Sequence, residues 1–220
     1  MFKPRRPEFL AFIVAIYVAL VLNQPFWKKF VGLVNPSRPT DWLFTGAVAV
    51  ATVLVAYLVL LALSAKPLLR SFLLILLPTI AAAAYFMGEY GIVIDAQMVR
   101  NVVETDTGEA SDLVTLKLVA YVVLLGLAPA VLFWLVPWTK RSYREETAGK
   151  LKAAALSLLL LVAAVLPVWG NIISLARDHR ELKMTLTPVN FVSALTGYWR
   201  QEKRKNASVV ASYGADACLL

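Results

Sequence analysis

Between Gly88 and Asp112 an otherwise greasy chain turns polar and acidic. Glu89, Asp95, Glu104, Asp106, Glu109 and Asp112 share this stretch with a single cation, Arg100. On a helix, Asn101, Thr105 and Glu109 fall four apart and line one face. An amide, a hydroxyl and a carboxylate in that order could hold an ammonium group through charge-assisted hydrogen bonds, which are stronger than neutral ones. The same residues also describe a solvated helix with ordinary ends, since Thr105 and Thr107 are both good cap residues. Tyr90, where the preceding apolar run stops, suits either a ring at headgroup depth or a ligand contact.

Other chemistries find little support. His179 stands between Asp178 and Arg180 in a charged run and reads as a surface residue. With one histidine and one cysteine, Cys218, the chain has neither a Cys/His metal spacing nor an internal disulfide framework. No glycine-rich phosphate loop, nucleophile elbow or Ser/His/Asp set is present. Asn206-Ala207-Ser208 matches a glycosylation sequon by pattern only.

The elements that must position the acidic stretch are written in the composition. Hydrophobic residues make up 60% and charged ones 16%, against about half and about a quarter in an ordinary soluble domain. The excess lies in five charge-free runs, at 9–27, 42–65, 71–88, 118–139 and 153–176. About 20 apolar residues in a helix cross a hydrocarbon layer of about 30 Å. A helix also satisfies its own backbone where there is no water. The expected fold is therefore all-α: an integral membrane five-helix bundle over residues 1–176. Lys3, Arg5 and Arg6 before the first run resemble a signal peptide, but Asn23-Gln24-Pro25-Phe26-Trp27 replaces the small-residue cleavage site. An uncleaved anchor is expected. Pro78 and Pro129 fall inside spans and Pro167 near the end of one, where kinks are expected.

The formal charge of +8 suggests nucleic acid until the cations are placed. They gather at the ends of the apolar runs, and no basic face interleaved with aromatics appears, so nucleic-acid binding is not expected. With five alternating spans, Lys3, Arg5, Arg6, Lys66, Arg70, Lys140, Arg141, Arg144, Lys150 and Lys152 fall on one side. Only Lys28, Lys29, Arg38, Arg100 and Lys117 fall on the other. The positive-inside rule then puts the N-terminus inside, and the acidic stretch and C-terminus outside. The first outer loop, 28–41, is expected to be turn-rich through Asn35-Pro36-Ser37 and Pro39.

Past Ala176 the chain becomes polar. Thr187 suits a helix N-cap and Pro188 the first helical position. Phe191, Leu195, Tyr198 and Trp199 recur at helical spacing, the pattern of a short helix lying in the outer headgroup layer. Residues 177–205 are read as a bridging segment and 206–220 as a linker. A small transporter would need ionisable groups within the spans, and the runs carry none.

Tyr90-Gly91, Asp95, Met98, Arg100-Asn101, Glu104-Thr105-Asp106 and Glu109-Ala110 together resemble the outer segment between helices three and four of phosphoethanolamine transferases. These are the inner-membrane enzymes that modify lipid A in lipopolysaccharide and confer polymyxin resistance. The run Asp178-His179-Arg180-Glu181-Leu182 with Thr187-Pro188-Val189-Asn190-Phe191 resembles the bridge after their fifth helix. The resemblance implies a periplasmic alkaline-phosphatase-like catalytic domain as partner. There a threonine, assisted by zinc, takes phosphoethanolamine from phosphatidylethanolamine and passes it to lipid A. No nucleophile motif or zinc set of that domain occurs in these 220 residues. This chain is expected to hold no cofactor and to be inactive alone, as a split-off or truncated N-terminal half. By motif match, Asn101, Thr105, Glu109 and Tyr90 would bind the donor headgroup at the outer leaflet of the inner membrane. A non-catalytic anchor or scaffold for a periplasmic partner is the alternative, and the acceptor is left open.

Overall fold

A computed structural model describes residues 5–63, 68–104, 113–137, 139, 142–179, 181–187 and 189–208. Among them the chain is helical, without strands. Helix α1 (Pro7–Ile16) runs into a π turn, Tyr17–Leu22, and is followed by α2 (Gln24–Val34). Helices α3 (Pro39–Leu63), α4 (Leu68–Tyr90), α5 (Ala96–Glu104) and α6 (Leu116–Leu135) come next. Then come α7 (Tyr143–Val165), α8 (Trp169–Asp178) and α9 (Val189–Ser208). A 3-10 turn, Leu166–Val168, holds Pro167 and joins α7 to α8.

Four stretches are long and apolar enough to cross a membrane: α3, Ser71–Tyr90 of α4, α6, and α7 with α8. The pair α1–α2, bent by 60°, makes a fifth if taken as one broken span. The molecule is a multi-pass membrane protein. Its core is Val14, Leu22, Leu60, Leu77 and Ile80 around buried alanines, Ala11, Ala15, Ala81 and Ala130. Small side chains let helix backbones approach closely where apolar burial alone cannot drive association. Outward-facing residues such as Ile75 (71% exposed) and Leu159 (65%) are as apolar as the core, because their solvent is lipid.

The first span departs from the sequence reading. The run at 9–27 is not one straight helix, and 28–34 is not loop. Asn23 breaks the helix at φ −96°, ψ 28°, and Pro25 cannot donate to a preceding turn. The chain then continues as α2, because Phe26 and Phe30 bury the same face against Phe44 and Val168. Carbonyls freed at the bend are taken by side chains: Asn23 Nδ2 donates to Val18 O (2.9 Å) and Trp27 Nε1 to Ala19 O (2.7 Å).

The prolines leave different marks on the backbone. Pro78 lies inside an unbroken α4. Pro129 follows a π turn, Val122–Leu127, in α6. Having no N–H, it leaves Leu125 O without its usual donor, and Tyr17 Oη–H donates there instead, at 2.6 Å. Helix α6 stops at Val136, which is extended ahead of Pro137. Helix α7 begins earlier than the apolar run, at a capping box between Ser142 and Glu145.

Candidate functional site

The acidic stretch is positioned by one stop and one cap. Helix α4 ends at Tyr90 because Gly91 takes φ +65°, the left-handed conformation that ends helices and that other residues adopt only with strain. Four residues later Asp95 Oδ1 accepts from Met98 N–H at 2.8 Å, starting α5. Helix α5 turns Val99 toward Met87, Ile94 and Ala194, while Asn101 faces out. Arg100 reaches α9, donating to Gln201 Oε1 at 3.0 Å. Gly197 of α9 sits so close to α5 that a Cβ there would stand 3.0 Å from the Ala96 methyl.

Of the four residues singled out by sequence, Asn101 lies on the exposed face of α5 and Tyr90 at the end of α4, 52% exposed. Tyr90 stacks on Phe86 with centroids 5.8 Å apart and stands 6.4 Å from the Tyr85 ring. Thr105 and Glu109 lie outside the described residues, so the three-residue face is seen only at its first member. Beside Tyr90, between α4, α5 and α9, runs an apolar groove of about 610 Å³ whose walls include Phe86, Met98, Val103 and Leu195.

The bridge after α8 is built differently from the sequence reading. Thr187 does not cap the next helix, since its buried hydroxyl has no hydrogen-bond partner among the described residues. Its peptide groups are held instead by Asn23: Thr187 N–H donates to Asn23 Oδ1 and Asn23 Nδ2 donates to Thr187 O, each at 2.8 Å. Helix α9 docks with Asn190 (0% exposed) and Ala194 (2%), leaving Leu195 (47%) and Trp199 (64%) outward. Of the apolar stripe, only Phe191 packs onto the bundle core. His179 caps the end of α8, its N–H donating to Leu175 O at 2.9 Å. No group of acidic, histidine and cysteine residues fit for a metal ion occurs among the described residues.

Sequence reasoning passed over three features. Asn23 carries a faint signal, a polar residue in an apolar run, and being fully buried it requires a partner. Tyr17 gave no signal, because its acceptor exists only once Pro129 frees it. Lys117, a loop cation by sequence, pairs with Glu89 at 2.6 Å across the ends of α6 and α4.

The fold and site thus define a multi-pass helical membrane protein with a polar, acidic segment braced against a bridge at one end of its bundle. The family model for phosphoethanolamine transferase EptA/EptB matches residues 52–203, and the chain belongs to that family. It is 31% identical over 216 residues to phosphoethanolamine transferase EptA of Escherichia coli K12, covering 93% of this chain and 38% of that protein. It is 29% identical over 186 residues to phosphatidylethanolamine transferase Mcr-2 of Escherichia coli, covering 83% and 34%. The chain therefore spans little more than a third of the length of these relatives. Among solved structures it superposes on the integral membrane lipooligosaccharide phosphoethanolamine transferase A of Neisseria meningitidis. That match has a TM-score of 0.86 at 24% identity, over 93% of this chain and 38% of that one.

Proposed function

We propose that this chain is the membrane half of a phosphoethanolamine transferase, and that it binds the phosphatidylethanolamine headgroup at the outer leaflet of the inner membrane. A zinc-dependent periplasmic domain would carry out the transfer to lipid A above it, as in polymyxin resistance. The observation that carries this reading is the brace between α5 and α9. Arg100–Gln201 and the Gly197–Ala96 contact join the acidic segment to the bridge. Their joint surface is the apolar groove beneath Tyr90. An ammonium-binding segment beside a tail-sized apolar slot is what a lipid donor requires. In this reading Glu109 meets the ammonium, while Asn101 and Thr105 hydrogen-bond the phosphate or the surroundings of the attacking threonine. The lining of the groove supports the donor's acyl chain, and Tyr90 marks the headgroup level.

The test is Glu109→Ala in a full-length protein carrying the catalytic domain, assayed for transfer from phosphatidylethanolamine. Loss of one charge-assisted contact to a desolvated ammonium should lower transfer at least about tenfold, with folded yield maintained. Wild-type activity in that variant would remove Glu109 from the site.

A further inference from the structure

A second cavity opens on the other flank of α4, between α2, α4 and α6, with a volume of about 460 Å³. Its rim carries Lys28, Glu89 and Lys117, and its walls include Trp27, Tyr85 and Tyr121. Two cations against one carboxylate leave it with a net charge of +1. Glu89 and Lys117 form an ion pair, Nζ to the two carboxylate oxygens at 2.7 and 2.6 Å. Their side chains are 41% and 66% exposed, and a pair so wet is readily split. Among the described residues neither the Lys28 ammonium nor the Tyr121 hydroxyl has a hydrogen-bond or ion-pair partner. Tyr85 Oη already meets Thr115 Oγ1 at 3.2 Å, which fixes one wall.

We propose that this cavity is a second lipid-headgroup site, separate from the Tyr90 flank, which takes a lipid-borne phosphate on Lys117 and Lys28. Three observations lead to it. The donors left over are a free ammonium, a free phenol and an ammonium held only by an exchangeable carboxylate, which together fit an oxyanion. The cavity lies where α6 begins and α4 ends, at the ends of two apolar stretches, and aromatic rings at the ends of spans sit among headgroups. Cations at that depth attract lipid phosphates. The indole and phenol walls offer contact area to the carbons next to a phosphate, which a free inorganic anion would leave unused. On binding, the phosphate displaces Glu89 from Lys117. The carboxylate is therefore a competitor of the ligand and sets how tightly the site is held shut.

The experiment uses the whole 220-residue chain in detergent micelles, titrated with dioctanoyl phosphatidic acid, dioctanoyl phosphatidylethanolamine and inorganic phosphate. Native mass spectrometry provides the readout. Saturable binding of a phosphate lipid is expected, weakened about tenfold by Lys117→Ala and by Lys28→Ala. Glu89→Gln should act the opposite way and tighten phosphatidic acid several-fold, although it breaks the same ion pair as Lys117→Ala. A purely structural pair would make both variants behave alike. Size-exclusion profiles and helical circular dichroism, unchanged in all three variants, verify that the comparison is between folded proteins. Binding of either lipid with these opposite signs supports the site, and their relative affinity says whether a monoester or a diester phosphate is preferred. No saturable binding, a loss on Glu89→Gln matching that on Lys117→Ala, or inorganic phosphate binding as tightly as the lipids would overturn it. None of these outcomes touches Glu109, so the donor reading stands or falls separately.

Discussion

The side chain of Asn23 reaches the backbone of Thr187, 164 residues away, accepting from its N–H and donating to its C=O, while donating a third bond to Val18 O. All of this happens at 0% exposure, where an unmade hydrogen bond cannot be replaced by water. Asn23→Ala would leave the buried Thr187 N–H without an acceptor, at about 1–3 kcal/mol for that group alone. For a chain of this size each kcal/mol moves the midpoint by about 2–4 °C. The variant is expected to melt several degrees lower, and the bridge after α8 should be nicked sooner by protease in a time course. An unchanged midpoint would show that the amide clamp is not what holds the bridge. Asn23 could be seen in the sequence as a polar break before Pro25. Its partner could not, because nothing near it in the chain hints at Thr187. At the site itself, Asn101 and Tyr90 were legible as types at a spacing, whereas the use of Asp95 as the start of α5 was visible only in the backbone.

At the scale of elements, the contact between α4 and α6 depends on one missing side chain. A Cβ on Gly126 would stand 2.6 Å from Pro78 Cα, a backbone atom in mid-helix that cannot move aside. The π turn that holds Gly126 also supplies the carbonyl that Tyr17 takes from α1. Three helices therefore meet at a defect rather than at regular ridges. Gly126→Val should overpack this junction by about 1–3 kcal/mol, seen as a smaller monodisperse fraction and a lower melting midpoint after detergent extraction. A variant as stable as the wild type would mean that α6 can slide away from Pro78. Uniformly apolar runs such as 118–139 carry no 3.6-residue stripe, so the sequence marks the span but not which face meets which neighbour. The helix ends at Gly91, Pro137 and Ser142 lie away from the limits of the charge-free runs at 71–88, 118–139 and 153–176, because caps and backbone stops rather than hydropathy set them.

For the whole molecule, the placement of the acidic stretch on the outer side rests on the count of cations in the connections. The proposal can be checked with single cysteines in a Cys218→Ser background, at Ser37 and at Ser142, both exposed. In intact cells an impermeant maleimide should label Ser37→Cys but reach Ser142→Cys only after the membrane is opened. The reverse pattern would put the Tyr90 end in the cytoplasm and remove the donor-lipid reading with it. The bent first pair also belongs to this scale. Turning by 60° after Leu22 lays α2 over the bundle end, so that Phe26 and Phe30 close one wall against Phe44 and Leu182 while Trp27 and Lys28 open another beside Glu89.

By itself the sequence determined that this chain is helical and lives in lipid, through long apolar runs with a polar segment among them, but not where its helices start, bend and stop. Those features follow from transfer free energy and backbone satisfaction, which are local sums over neighbouring residues. Tertiary structure alone decided that Asn23 clamps Thr187, that Glu89 faces Lys117 and that α5 is braced by α9. Each of these joins groups far apart along the chain, and their energy exists only when packing has brought both to one place and kept water out.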